Sequence, residues 1–146
     1  MGRVISITDG DTITLVADWK KYTIRLGEID APELDQPWGK KATDALSERI
    51  LWESVRIQVT DVDRYGRLIG RIWLEDRDIN RELLAEGHAW LYRQYMTDRS
   101  LRKDERYARK NGLGLWQRII QFRRGISATA PGPGAEVEYA DVSLWQ

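Results

Sequence analysis

With 146 residues and 17.0 kDa, the chain has room for one domain, and 42% hydrophobic residues suffice for a single core. Its uninterrupted apolar runs extend only a few residues, far short of the ~18 to 20 that cross a bilayer, which excludes a helical membrane span. The absence of cysteine excludes disulfides, thiolate metal sites, iron–sulfur clusters and a cysteine nucleophile, and the lone histidine, His88, excludes a multi-histidine zinc site. Any metal is left to oxygen ligands and would be a hard cation such as calcium or magnesium.

Basic and acidic residues number 23 each, so the formal net charge is zero. Nucleic-acid binders usually show a positive excess, but the distribution here is uneven. Residues 131–146 hold Glu136, Glu138 and Asp141 and no base, which leaves 23 bases against 20 acids in the remainder. A cation held by some of those acids would make the working surface more positive still. Met1-Gly2-Arg3 runs straight into a strand-like pattern with no signal-peptide signature. A secreted or periplasmic location is expected if a leader has been removed, and a cytoplasmic one otherwise.

The first 30 residues alternate with period two: Ile5 and Ile7, Ile13 and Leu15, then Tyr22, Ile24 and Leu26. That predicts three strands, the last running from Tyr22 to Ile29. Asp9-Gly10-Asp11 and Asp18 to Lys21 are short enough for antiparallel turns. From Pro37 onward Trp38, Ala42, Leu46 and Ile50 recur at four-residue spacing, one stripe of a helix with proline near its first turn. Val55, Ile57 and Val59 predict a fourth strand, and Leu68, Gly70, Ile72 and Leu74 a fifth, with Arg64-Tyr65-Gly66 as the turn between. Asp78 or Asn80 can cap a short helix bearing Leu83 and Leu84, and Gly87 stands where a left-handed stop belongs. Asp98 can cap a polar helix ending at Asn111-Gly112.

The order βββαββαα is mainly β with α. It is the element count of a five-stranded OB-fold Greek-key barrel with a helix between strands 3 and 4 and two C-terminal helices. Residues 1–122 make up that domain. Residues 123–146, with Ala130-Pro131-Gly132-Pro133-Gly134 and an excess of acids, are expected to be a flexible or loosely docked tail.

Two carboxylate clusters, Asp9-Gly10-Asp11-Thr12 and Asp30-Ala31-Pro32-Glu33, each stand on a loop at a strand end. Two aspartates and a backbone carbonyl would make an open site for a hard cation, with room for a substrate phosphate. Asp9-Gly10 alone reads first as a hairpin turn, and the case for a site rests on its coincidence with other residues. Arg25 alternates away from Ile24 and Leu26, and Arg67 follows a turn whose glycine can adopt positive φ. A guanidinium donates two parallel hydrogen bonds to a phosphodiester and keeps its charge at any working pH, although either arginine alone also fits an ordinary surface ion pair. His88 has no partner acid at recognisable spacing. The basic run Arg99, Arg102, Lys103, Arg106, Arg109 and Lys110, interrupted by Asp98, Asp104 and Glu105, reads as a solvated helix face, with phosphate contact as the alternative.

From Val4 to Trp116 the chain resembles the staphylococcal-nuclease (thermonuclease) family. The matching elements are Asp9-Gly10-Asp11-Thr12, Arg25-Leu26, Ile29-Asp30-Ala31-Pro32-Glu33, Pro37-Trp38-Gly39, Asp63-x-Tyr65-Gly66-Arg67, Asn80, Gly87-x-Ala89-Trp90 and Gly114-Leu115-Trp116, in order. The resemblance implies an OB-fold barrel and a calcium-dependent phosphodiesterase that cuts DNA and RNA and leaves 3′-phosphates. It implies Asp11, Asp30 and the Ala31 carbonyl as Ca2+ ligands, with Asp9 as an acid behind them. Glu33 matches the family's general base, and Arg25 and Arg67 its phosphate-holding arginines; a guanidinium holds its proton too firmly to donate it at neutral pH, so the role implied for Arg67 is electrostatic stabilisation.

Asp63, Arg64, Tyr92 and Tyr95 are the expected substrate contacts, although the two tyrosines depart from the family's spacing after Gly87. The loop Leu34-Asp35-Gln36-Pro37 lacks the longer lysine-containing loop of the type member, so no mobile basic flap is expected. The expected partner is nucleic acid, single-stranded or unpaired regions favoured, and the protein is expected to be a monomer without membrane association. The competing reading is a non-catalytic OB module that binds nucleic acid or protein. Such a module would be expected to lack some of Asp11, Arg25, Asp30, Glu33 and Arg67, and all five are present.

Overall fold

Three strands, β1 (Gly2–Asp9), β2 (Thr12–Ala17) and β3 (Lys20–Leu26), form an antiparallel meander in the computed structural model, which describes residues 1–122 and 137–141 and the side chains of 1–117 except Tyr95. β1 bulges at Ile5: Val4 pairs with Leu15 and Ser6 with Thr14. The bulge changes which residues face inward: fully buried Val4 and half-buried Ile7 pack in the core, whereas Ile5, which simple alternation puts with Ile7, is half-buried outside that cluster.

The run expected as one strand from Tyr22 to Ile29 is broken. β3 ends at Leu26, Gly27 and Glu28 turn the chain, and β4 (Ile29–Asp30) follows as a separate two-residue strand. Glu28 takes φ 67°, and its side chain accepts from the backbone N–H of Thr97 and Asp98 at 3.2 and 3.0 Å. Those bonds hold a side chain in the left-handed region that favours glycine.

Helix α1 (Gly39–Ile50) buries Ala42, Ala45, Leu46 and Ile50 on the barrel, starting two residues after Pro37. β5 (Ser54–Val62) and β6 (Leu68–Leu74) make the second hairpin. β5 pairs with β1, and β6 pairs in parallel with β3 through Ile24↔Leu68, Arg25↔Ile69 and Leu26↔Gly70. The ring β3-β2-β1-β5-β6 is thereby closed into the five-stranded barrel expected from sequence, with α1 between its third and fourth strands. Its core includes Ile13, Ile24, Leu26, Leu46, Ile50 and Ile72, each fully buried and each contributing about 1.5–3 kcal/mol relative to exposure.

β7 (Arg77–Asp78) turns back to pair antiparallel with the end of β6 and leads into α2 (Ile79–Ala85), where Asp78 caps by accepting from Arg81 N–H at 3.1 Å. Asn80 is no cap. Fully buried, it accepts from Ile72 N–H at 3.0 Å and donates to the carbonyls of Gly27 and Gly70 at 3.0 and 3.2 Å. It bolts the β3–β4 turn to β6. β8 (Trp90–Leu91) pairs with β4, setting Trp90 opposite Asp30.

Helix α3 (Leu101–Lys110) follows, and Asp98 does not cap it. Instead Asp98 accepts from Ser100 and from the guanidinium groups of Arg71 and Arg81. A smaller cluster of Trp90, Ala108, Leu115 and Trp116 packs α3 to β8. β9 (Arg118–Phe122) and β10 (Val137–Asp141) pair antiparallel; the rest of the expected tail, 123–136 and 142–146, lies outside the described residues. Among the described residues no helix is long and apolar enough to cross a membrane.

Candidate active site

Two turns from different parts of the barrel meet at Asp11. In the β1–β2 turn, Asp9 Oδ1 accepts from Asp11 N–H at 3.1 Å, and Asp11 Oδ1 accepts from Thr12 Oγ1 at 3.0 Å. Asp11 Oδ2 reaches the other turn and accepts from Ala31 N–H at 2.9 Å. The carboxylate is only 6% exposed at residue level, so these bonds replace water it cannot reach.

Arg25 joins both turns. Its Nη1 donates to the carbonyls of Leu26 and Ile29, which brackets the β3–β4 turn, while Nη2 lies 3.5 Å from Asp11 Oδ2 and 3.5 Å from Asp30 Oδ1. Strong charge-assisted bonds are ~2.7–2.9 Å, so one guanidinium is shared loosely between two carboxylates. Burial raises the Asp30 carboxyl above its usual range; Arg25 opposes this, and the charges of Asp9 and Glu33 add to it. The influence of Glu33 on Asp30 puts that exposed carboxylate in the same field. Burial, then the neighbouring Asp11, pushes Asp9 up to about 6.

Crowded, half-buried acids with too little positive charge between them are the electrostatic condition that a hard cation relieves. The donors are all oxygen, as calcium or magnesium requires, so the residues present fit such an ion. Among the described residues no three acidic or imidazole side chains form a closed cage. Asp11 and Asp30, with the carbonyl of Ala31, the residue whose N–H binds Asp11, are the oxygen donors that would face such an ion, leaving the rest of its shell to substrate and solvent.

Glu33 is set by backbone geometry. Its N–H donates to Gln36 Oε1 at 2.7 Å, its carbonyl accepts from Gln36 N–H at 2.9 Å, and Gly39 N–H donates to the Gln36 carbonyl at 2.9 Å. The start of α1 passes so close that a Cβ on Gly39 would overlap the Glu33 carbonyl oxygen.

Arg67 directly precedes Leu68, the strand partner of Ile24, so the two arginines enter from adjacent strands. Asp63 holds it: Oδ2 accepts from Arg67 Nε at 2.6 Å, and Oδ1 accepts from the N–H of Tyr65 and Arg67 at 2.9 and 3.0 Å. Desolvation opposes the Asp63 charge, but these bonds outweigh it and keep the carboxyl below its usual range. The terminal nitrogens of Arg67 have no hydrogen-bond partner among the described residues, which leaves that edge of the fork for an anion. Asp63, expected among the substrate contacts, is here engaged in holding Arg67 and its turn.

Sequence reasoning left Tyr65 without a role. Its exposed ring lies 5.0 Å from the Arg64 guanidinium and 5.7 Å from that of Arg67, and its hydroxyl accepts from Arg64 Nη2 at 2.9 Å. The signal was its place within the motif between those two arginines. Tyr92 is part-exposed, its N–H donating to the Glu28 carbonyl at 2.8 Å, and shares a groove with Asp30. The Tyr95 side chain lies outside the described residues. The structure brings Asp9, Asp11, Arg25 and Asp30 together, with the Glu33 charge acting on Asp30, and holds Arg67 just before the neighbouring strand. Among the described residues no contact joins Arg64 to the carboxylates.

His88 stays apart. Its Nδ1 accepts from Trp38 Nε1 at 3.1 Å, and burial, with a smaller effect from the Arg49 charge, lowers it to about 4.

A family model described as "Staphylococcal nuclease homologue" matches residues 23–118. The chain is similar to an uncharacterized endonuclease of Haemophilus influenzae, 38% identical over 115 residues, covering 78% of this chain and 65% of that protein's length. It is 36% identical over 126 residues to a micrococcal nuclease of Shigella flexneri, covering 79% of this chain and 72% of the relative. A probable staphylococcal-like nuclease, CAN2, of Oryza sativa subsp. japonica is 38% identical over 114 residues, covering 78% of this chain and 30% of its own length.

Proposed function

Because the chain belongs to the staphylococcal nuclease homologue family, we propose that it is a calcium-dependent nuclease hydrolysing DNA and RNA and leaving 3′-phosphate ends. The observation that carries this reading is the meeting of Asp11, Arg25 and Asp30 across two turns, with Ala31 N–H locking one turn to the other. A binding module has no need for under-neutralised carboxylates crowded around one guanidinium.

Hydrolysis adds water across the P–O5′ bond. The water oxygen bonds to phosphorus, the 5′ oxygen leaves with a proton, and the phosphate remains on the 3′ side. Glu33, exposed at the rim, accepts the proton of the attacking water. Arg25 and Arg67 approach from adjacent strands and neutralise the charge that grows on the phosphate oxygens in the transition state. Asp11, Asp30 and the Ala31 carbonyl would hold the cation, which when bound supplies positive charge against a phosphate oxygen and acidifies water. Accessible single strands and unpaired regions suit an open site of this kind, and the site is complete within one chain.

Digestion of single- and double-stranded DNA and RNA with calcium, with magnesium and with excess chelator tests this reading. Cleavage only with added divalent ion and 3′-phosphate product ends are expected. Equal activity in chelator, or a Glu33→Gln variant as fast as the parent protein, would overturn the respective roles. A rise in melting temperature with calcium that Asp11→Asn abolishes checks the ion independently of turnover.

A further inference from the structure

Beside Asp30 a groove of about 460 Å³ runs between β8 and α3, lined by Trp90, Tyr92, Arg93, Arg109 and Trp116. Two features of its walls have no role in the chemistry above. The indole N–H groups of Trp90 and Trp116, residues 3% and 8% exposed, have no acceptor among the described residues. Buried polar hydrogens are rarely left unpaired.

Arg109 supplies the second feature. Glu105 at the groove floor is fully occupied: Oε2 accepts from Leu91 N–H at 2.7 Å and Oε1 from Arg93 Nη2 at 2.6 Å. Arg93 and Glu105 therefore cancel, and Arg109 has no carboxylate partner among the described residues. Its guanidinium is exposed and lies 4.7 Å from the Trp116 ring centroid, over the indole at the groove wall.

We propose that this groove is a second subsite, receiving the nucleic-acid strand where it continues past the scissile phosphate, with Arg109 on the neighbouring phosphodiester. The inference rests on the nuclease reading above and extends it. A guanidinium already ordered on an aromatic face loses little freedom on gripping a phosphate, and the groove starts at a proposed cation ligand. The two indole N–H groups lie below the groove surface and stay out of reach of the strand; the Trp116 ring contributes its face, to Arg109. A strand laid there also presents bases to the Tyr92 ring, and stacking on a π-face tolerates any sequence.

The test compares a dinucleotide with a long oligothymidylate on the full chain. Arg109→Gln, which keeps a stem over Trp116, is expected to raise KM for the long strand about tenfold, leave its kcat unchanged and leave dinucleotide cleavage unaffected; Arg109→Lys restores part of the loss. Binding of fluorescent oligothymidylate in chelator reads the same contact without catalysis. The slope of log Kd against log salt falls by about 0.7 for the loss of one phosphate contact on a single strand. Unchanged KM and salt slope in Arg109→Gln overturn the subsite. A parent protein that cleaves neither substrate overturns the nuclease reading instead, and the salt slope still decides whether the groove binds a strand.

Discussion

Ala31 N–H donates to Asp11 Oδ2 at 2.9 Å, tying together two turns that are 20 residues apart in the chain. One oxygen of a proposed cation ligand is thus also the acceptor for the loop that carries Asp30 and Glu33. The site and the local fold share an atom, so changes at Asp11 separate into those that keep an acceptor and those that remove it.

Asp11→Ala leaves the buried Ala31 N–H unpaired and is expected to destabilise the protein by about 1–3 kcal/mol in urea unfolding. Asp11→Asn keeps an amide oxygen for that bond and should retain most of the stability while losing nuclease activity. Equal stability of the two variants would show that the bond contributes nothing.

Arg67→Ala is expected to lower kcat about 10²–10³-fold, the usual scale for losing one preorganised donor at a developing charge. Arg67→Lys should recover little, because an ammonium cannot bind Asp63 through Nε while presenting a fork to phosphate. Asp63→Asn, acting through Arg67, should cost less than Arg67→Ala and be nearly silent when combined with it. Full activity in Arg67→Lys would show that a point charge suffices.

Gly39→Ala tests how the start of α1 sets Glu33. The new methyl group collides with backbone, the Glu33 carbonyl, so the loop rather than a side chain must move. Turnover should drop at least about tenfold, since small misplacements of reacting groups are costly. The melting temperature should fall as well. Unaltered turnover in a folded variant would separate the Glu33 position from catalysis.

Stability between pH 6.5 and 4 should carry a signature of His88. An unfolded chain binds a proton on this imidazole near 6.5 and the folded protein only near 4, so the His88 contribution falls as pH falls through that window. Asp9, raised to about 6, contributes with the opposite sign, so the readout is the difference between parent protein and His88→Gln. That difference in urea midpoint should shift against the parent as pH drops from 7 to about 4.5. A constant difference would mean that folding does not perturb His88.

The barrel was legible because its signals are local. Period-two runs from Ile5 to Leu26 and from Val55 to Leu74, one four-spaced stripe from Trp38 to Ile50, and the turn residues between them require little beyond burial of one face. The candidate site was legible only as motifs on separate loops. The β1 bulge, the break at Gly27-Glu28 and the buried bonds of Asn80 left no periodic trace, because each answers a partner distant in sequence: β2, the Thr97–Asp98 segment and β6.

Residue types by themselves determined that any metal here would meet oxygen, that arginine would be available for phosphate, and that strands would outnumber helices. Closure of β3 on β6 decided the rest. That parallel pairing sets Arg25 and Arg67 on neighbouring strands, and the meeting of the two turns at Asp11 brings Asp30 within reach of the same guanidinium. Periodicity records which way a side chain faces, whereas convergence depends on strand register and ring closure, properties of pairs of segments that no single stretch of chain contains.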